Sequence, residues 1–230
     1  MKENQVEKAY RLISDMIFKY QLPPGAVVSD FTLSKTLLMS RTPVRQAIMM
    51  LLNHGYVVNS EKGFKVPEIT LESIDELYDA RCCLESAILR YSMKRGLDKS
   101  SIAMLRETID KKVECYKSGN IIKALDYDIE FHRILVNLCH NQKLVHAYRN
   151  IEVQMMKLNV FSLANPNYDT PMVYAEICDT IEAGDIEGAC AKLEASIESG
   201  RIQKKNAIEK FRSYGLHGIY NFIANSFSSS

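Results

Sequence analysis

Apolar residues recur at steps of three and four along most of the chain, the spacing that lines one face of an α-helix. In the first seventy residues it predicts three helices: about 4–20, about 30–38, and a third that carries Pro43 in its first turn and ends near Asn53. Two short β-type runs follow, 56–58 and 64–66, on either side of a polar stretch. These runs predict a β-hairpin that Pro67 closes.

Strand patterns end at about Thr70, and the rest of the chain is helical in pattern. The predicted helices are about 71–95, 99–118, 120–139, 142–163, 170–183 and 185–212. Their short connections predict antiparallel neighbours, and hence an all-α bundle. We therefore expect a mainly α protein with domains at 1–69 and 70–215 and a C-terminal tail at 216–230. The tail is ambiguous between coil and a last short helix.

Composition and charge narrow the class of protein. The net charge is +1 overall, but residues 1–70 contain nine Lys/Arg and six Asp/Glu, a balance of +3. A modestly basic front half is compatible with nucleic-acid binding. No apolar run is long enough for a membrane span or a signal peptide, so we expect a cytoplasmic protein without a membrane partner. The six cysteines lack CxxC spacing and are expected to be reduced core thiols.

The first domain has the element order of a winged helix-turn-helix, in which the third helix enters the major groove of DNA. Arg41 and Arg45 lie four residues apart, on one face at the start of that helix. Arginine there can pair with guanine or hold a phosphate. The alternative is that these are ordinary solvated charges. The candidate DNA-contacting residues of the helix and of the hairpin wing are Ser40, Arg41, Thr42, Arg45, Lys62, Gly63 and Lys65.

The residues around this turn also carry a family resemblance. The segment 40–48, with its S-R-T-P-V-R run, together with Pro24-Gly25, 55–57 and 62–66, resembles the DNA-binding domain of GntR-type regulators. That resemblance implies operator binding. The chain departs from the family at two positions, with Phe31 where arginine is common and Leu38 where glycine is common. Leu38 lacks the freedom of glycine to adopt a positive φ.

In the second domain, polar residues interrupt apolar helix faces. Arg81 lies on a stripe of one helix, and Asp128 and His132 lie on a stripe of another. Tyr174 and Ser196 lie near the inner faces of the last two helices. Buried charge is costly unless it is paired, so these residues predict either a ligand cavity or a structural network. The network alternative pairs Arg81 with Asp128 and His132 with Tyr174.

This half resembles the all-helical FCD effector domain of the FadR branch of GntR regulators, through Ala80-Arg81, Leu84-Glu85, Asp128-x-x-Phe131-His132, Asn141, 183–185 and Ala189. In metal-binding members, two further histidines join the Asp and His of the D-x-x-F-H motif, at positions that fall on Tyr174 and Ser196. The resemblance therefore implies an effector site of Arg81, Asp128, His132, Tyr174 and Ser196. Because two donors are replaced by weak ligands, we expect no metal and no cofactor.

Together these features predict a dimeric transcription regulator, in this family usually a repressor. It would bind a palindromic operator in double-stranded DNA and respond to a small anionic metabolite, with Arg81 binding a carboxylate. One alternative is an enzyme that uses Asp128 and His132 as an acid/base pair. A DNA-binding protein that responds to no ligand is another. We expect no enzyme, because no nucleophile motif, phosphate loop or cofactor fingerprint is present.

Overall fold

The computed structural model describes residues 4–159, 161–162 and 171–212, with the side chains of all of these except 171, 172, 211 and 212. The chain divides into two compact units with the boundary between Thr70 and Leu71. The second unit runs from Leu71 to Glu209. Each unit buries its own set of apolar side chains.

The first unit combines three helices with a small antiparallel sheet of strand order β1-β3-β2. Its elements are α1 (Gln5–Phe18), β1 (Val27–Val28), α2 (Asp30–Thr36), α3 (Arg41–Asn53), β2 (Val58–Ser60) and β3 (Gly63–Lys65). The apolar faces of α1 and α3 meet, and Ile13 and Val44 are fully buried there. Ser29 caps α2 by accepting a hydrogen bond from the amide of Thr32. The predicted winged helix-turn-helix is confirmed.

The hairpin is tighter than predicted, and the predicted strand positions were wrong by one or two residues. Val58 pairs with Lys65 and Ser60 with Gly63, so the turn between the strands is short. Tyr56 belongs to the core, where its ring contacts that of Phe18 at a centroid distance of 5.4 Å. β1 was not predicted, because two residues show no periodicity. It pairs with β3 on the side opposite β2.

The second unit is all helical over its described residues, as predicted. Its helices are α4 (Leu71–Arg95), α5 (Lys99–Lys117), α6 (Ile121–Asn137), α7 (Gln142–Asn159), α8 (Pro171–Glu182) and α9 (Ile186–Arg212). α7 is described as far as Asn159, and its predicted end near 163 lies outside the described residues. The predicted tail at 216–230 lies outside the described residues.

Gly200 does not interrupt α9, although glycine disfavours helix interiors. It faces Tyr78 of α4, and a Cβ at this position would lie 3.3 Å from Cε1 of that ring. The missing side chain therefore lets α9 approach α4 closely. No described helix has both the length and the apolar character of a membrane span.

All six cysteines are free thiols, but only half of them are in the core. Cys139, Cys178 and Cys190 are buried, whereas Cys83 is exposed and the other two are intermediate. The expectation of core thiols was therefore wrong for Cys83, which lies on the outer face of α4.

Candidate functional site

The start of α3 presents its polar face to solvent. Arg41, Thr42 and Arg45 are exposed, whereas Val44 and Ala47 on the opposite side are buried in the first unit. Ser40 occupies the N-cap position, but its side chain makes no capping hydrogen bond. The first turn of α3 contains no acidic residue, so the positive end of the helix dipole faces outward uncompensated. This arrangement suits a phosphate or a base edge.

Arg41 is not a freely solvated charge. Its Nη2 donates to both carboxylate oxygens of Asp30, at 3.0 and 3.1 Å, and its side chain is still 61% exposed. Phe31 is half exposed, with the ammonium of Lys35 4.0 Å from the ring centroid and the guanidinium of Arg41 at 5.9 Å. The aromatic residue that replaces the family's arginine therefore supports two neighbouring cations.

Of the wing residues, Lys62 and Gly63 lie at the turn between β2 and β3, whereas Lys65 lies at the other end of β3. Lys62 and Gly63 are exposed, and Gly63 has a φ of +106°, which a residue with a side chain rarely adopts. Lys65 donates to Glu68 at 2.8 Å, and this hydrogen bond lowers the pKa of the Glu68 carboxyl. Lys62 is thus the more accessible of the two predicted wing lysines.

In the second unit, four of the five predicted site residues form one buried hydrogen-bonded cluster. Arg81, Asp128, His132 and Tyr174 are each less than 5% exposed, although they come from three different helices. The Tyr174 hydroxyl lies 3.1 Å from Nε2 of His132 and donates its single proton to Oδ1 of Asp128 at 2.8 Å. The expected contact between His132 and Tyr174 is therefore present.

Glu85 holds one half of this cluster together. It accepts from Nε of Arg81 at 2.8 Å and from Nδ1 of His132 at 2.6 Å, and Tyr148 of α7 donates to it at 3.2 Å. Burial opposes the ionisation of Glu85, but the combined effect of Arg81 and His132, through their charges and hydrogen bonds, outweighs it and lowers the pKa to about 2. Because the Arg81 guanidinium can only donate, its Nη2 at 3.3 Å makes Nε2 of His132 the acceptor.

Lys112 of α5 holds the other half. Its ammonium is 1% exposed and donates to Oδ1 of Asp128 at 2.5 Å. Asn159 of α7 donates to Oδ2 at 3.4 Å. Burial raises the pKa of Asp128, but the charge of Lys112 and its hydrogen bond outweigh that effect, and the pKa falls well below its usual range. The carboxylate is therefore ionised.

These contacts correct the sequence prediction at two points. The expected pair of Arg81 with Asp128 is wrong, because Arg81 pairs with Glu85 and Asp128 pairs with Lys112. Ser196 is buried, but among the described residues no hydrogen bond joins it to the cluster. On α4, Glu85 is fully buried, whereas its neighbour Leu84 is only partly buried.

Sequence reasoning also missed Lys112, Tyr148 and Asn159 as members of the cluster. Glu85 carried a usable signal, since an acidic residue four positions after a buried arginine lies on the same helix face. Lys112 carried a weaker one, since it follows the apolar positions Leu105 and Ile109 of α5. For Tyr148 and Asn159 of α7, no signal in the sequence indicates that their side chains face the cluster.

The cluster does not fit a metal ion. The described chain contains no group of three or more His, Cys, Asp and Glu side chains placed to hold one. Asp128 and His132, the two retained donors of the family pattern, are bridged by a phenol hydroxyl. Protonated phenol is a poor ligand near neutral pH.

Comparison with known proteins gives a consistent family. Residues 76–199 match the family described as the FCD domain. The chain is 32% identical over 139 residues to the Nta operon transcriptional regulator of Aminobacter aminovorans, covering 59% of this chain and 64% of that one. It is 24% identical over 161 residues to the gluconate operon transcriptional repressor of Bacillus subtilis (strain 168), covering 68% and 62%. The chain thus spans less than two thirds of the length of these curated relatives.

Two solved structures resemble the whole chain. A putative transcriptional regulator GntR from Rhodococcus sp. RHA1 superposes with a TM-score of 0.71 at 25% identity, covering 88% of this chain and 98% of that one. McbR/YncC of E. coli superposes with a TM-score of 0.74 at 20% identity, covering 89% and 98%. The second likeness concerns the fold alone. These family matches and named relatives are regulators, and they give the enzyme alternative no support.

Proposed function

Because this chain belongs to the FCD-domain family of GntR-type transcription regulators, we propose that it is a ligand-responsive repressor that binds a palindromic operator as a cytoplasmic homodimer. The observation that carries the proposal is the exposed, basic start of α3 on a packed winged helix-turn-helix. The second unit supplies the effector site and the dimer contacts. The repressor role follows from names such as the gluconate operon repressor.

We assign operator reading to Arg41, Thr42 and Arg45, with Ser40 contacting phosphate. The two arginines lie on one exposed face, and a helix placed in the major groove would present them to neighbouring bases. Lys62, Gly63 and Lys65 of the wing would follow the adjacent backbone. Phosphate contacts by these residues position the protein, while the arginines provide sequence preference.

Footprinting on the DNA upstream of its own gene tests this assignment. Arg41→Ala is expected to lower operator affinity by about 1–3 kcal/mol if the contact is bidentate to a guanine. Arg45→Ala should have an effect of similar size. Lys99→Ala, an exposed lysine of the second unit, is the matched control. If both arginine variants keep wild-type specific affinity, α3 is not the reading helix.

The proposed homodimer is tested separately, by the molar mass that size-exclusion chromatography with light scattering measures.

We place the effector at the buried cluster, with a carboxylate of the ligand on Arg81. Polar groups from several helices converge there, and a buried ion pair often adds little to stability because the charges must leave water. Since Glu85 already holds Arg81, the ligand carboxylate would exchange with Glu85 at the guanidinium. Asp128, His132 and Tyr174 would then donate to or accept from the rest of the ligand, with Ser196 at its edge.

A thermal-shift panel of small carboxylic acids tests the site, with gluconate included because one relative is a gluconate operon repressor. The acid that stabilises the protein is then titrated by calorimetry into wild type and Arg81→Met. We expect binding to be lost in the variant, whereas Arg90→Met, at an arginine of the same helix that is 36% exposed and pairs with Glu187, retains it. Wild-type affinity in Arg81→Met would make Arg81 structural.

A shift of operator affinity by the same acid distinguishes a ligand-responsive regulator from a DNA-binding protein that responds to no ligand.

A further inference from the structure

The ammonium of Lys112 lies against a carboxylate that, by family resemblance, belongs to a metal site. Metal-binding FCD domains place an ion beside the residues corresponding to Asp128 and His132. In this chain Oδ1 of Asp128 receives Lys112 at 2.5 Å and the Tyr174 hydroxyl at 2.8 Å. Oδ2 receives Asn159 at 3.4 Å. Three donors thus surround the one carboxylate that an ion would need.

Burial lowers the pKa of Lys112, but its ion pair with Asp128 opposes that shift and favours the charged form. Its ammonium lies 4.3 Å from the centroid of the Tyr174 ring, which is the residue in place of a family histidine. A cation on an aromatic face is stabilised by the ring quadrupole, and more so when water is excluded. Tyr174 therefore lacks the metal-binding nitrogen of a histidine, and its ring also stabilises the ammonium of Lys112.

The surroundings make a dication unfavourable. Lys204 of α9 is 2% exposed, and burial together with the charges of Arg81 and Lys112 lowers its pKa to about 8, against the opposing effect of Asp128. Arg81 lies on the His132 side, with Nη2 3.3 Å from Nε2, the atom that would bind the ion. Three cationic side chains thus act on the place that the ion would occupy.

We propose that Lys112 is an internal cation that replaces a divalent metal ion at this site, so that the effector unit of this chain is metal-independent. The proposal rests on the proposed function only for the location of the effector site. It predicts that the ammonium itself, and not only the missing histidines, excludes metal.

The test restores one donor with and without the ammonium. Tag-free full-length wild type, Tyr174→His and Tyr174→His/Lys112→Met are titrated with zinc and nickel by calorimetry. We expect no binding by wild type and weak binding by Tyr174→His. The double variant should bind about tenfold more tightly or better, because a like charge beside the ion is removed. Tyr174→His/Lys111→Met, which removes a neighbouring exposed lysine, should behave as Tyr174→His.

Two outcomes overturn the proposal. One is equal metal affinity in Tyr174→His and the Lys112→Met double variant, with both folded by circular dichroism. The other is metal binding by the wild type: a rise in its melting temperature with zinc or nickel, or near-stoichiometric metal in the purified protein that is lost in His132→Ala. None of these readouts uses DNA or an effector, so their failure leaves the proposed function standing.

Discussion

Leu38 is the most conspicuous single residue of the first unit. It has a φ of 52°, in the left-handed region where side chains other than glycine's are strained, and it is 93% exposed. It follows α2 in the turn that leads to α3, where the family often has glycine. The structure therefore retains the backbone conformation without the residue that suits it.

We expect Leu38→Gly to stabilise the first unit by about 1 kcal/mol, because it relieves the backbone strain and loses almost no buried surface. The measurement is denaturant unfolding of the full chain, followed by a probe in the first unit. Leu38→Ala is the control, since it removes the exposed side chain but keeps a Cβ at positive φ. Equal stability of Leu38→Gly and wild type would show that this turn is unstrained.

At the same scale, Glu85 is one carboxylate shared by three donors. Glu85→Gln should destabilise the second unit by about 3 kcal/mol, because Arg81 then stays buried without a counter-charge. The exposed Glu76 of the same helix supplies the control, Glu76→Gln. Calorimetric unfolding at pH 7 gives the difference; a change below that of the control would mean that the network contributes little.

The lowered pKa of Glu85 also predicts how the stability of the second unit changes with pH. Its folded pKa of about 2 lies below the ordinary 4.5, so the unfolded state binds more protons between these values. The stabilisation is complete above about pH 4.5 and is lost as the pH falls towards 2. In Glu85→Gln this part of the acid dependence should disappear. Unfolding curves at a series of pH values from 7 to 2 measure it.

Between elements, Asp30 of α2 orients Arg41 of α3 through a two-oxygen contact. A guanidinium held in this way has its orientation fixed before it meets a DNA groove. Arg41 therefore loses less conformational entropy on binding. The pair thus links the two helices of the helix-turn-helix at the surface that we assign to the operator. Its contribution concerns specificity more than fold, since the pair is exposed.

We expect Asp30→Ala to reduce the ratio of operator to non-operator affinity, while affinity for random duplex rises or stays level. Arg41 loses its orientation, and one negative charge near phosphate is removed. Fluorescence anisotropy with both duplexes at several salt concentrations measures the ratio. Glu7→Ala removes an equivalent exposed charge from α1 and should leave the ratio unchanged. If Asp30→Ala leaves the ratio of operator to non-operator affinity unchanged, Asp30 does not position Arg41 for operator binding.

For the whole molecule, two compact units in one chain need an energetic coupling to act as a regulator. Thermodynamic linkage makes that coupling reciprocal. If the effector acid changes operator affinity by some factor, saturating operator must change effector affinity by the same factor in the same direction. Calorimetry of the acid with free and with operator-bound protein measures the two effector affinities, and operator titrations with and without the acid measure the two operator affinities. Unchanged effector affinity together with unchanged operator affinity would identify a protein whose two sites are independent.

The sequence by itself determined the class of fold, the order of the helices and the β2–β3 hairpin, and the exposed basic face of α3. These depend on local periodicity and turn residues, as at Pro43, and helix type survives errors of a few residues at the ends. It also determined that Arg81, Asp128 and His132 face inward, because a charge on an apolar stripe is visible in one helix alone. The family resemblance supplied the expectation that these residues bind an effector.

Only the tertiary structure decided which charge meets which. Arg81 pairs with Glu85 on its own helix, and Asp128 pairs with Lys112 across to α5. Periodicity gives the face of each helix but not the rotation and height at which helices pack, so it cannot assign partners between them. The same reason explains why Ser196, correctly predicted to be buried, lies outside the hydrogen-bonded cluster, and why Lys112 was recognised only when α5 and α6 were seen together.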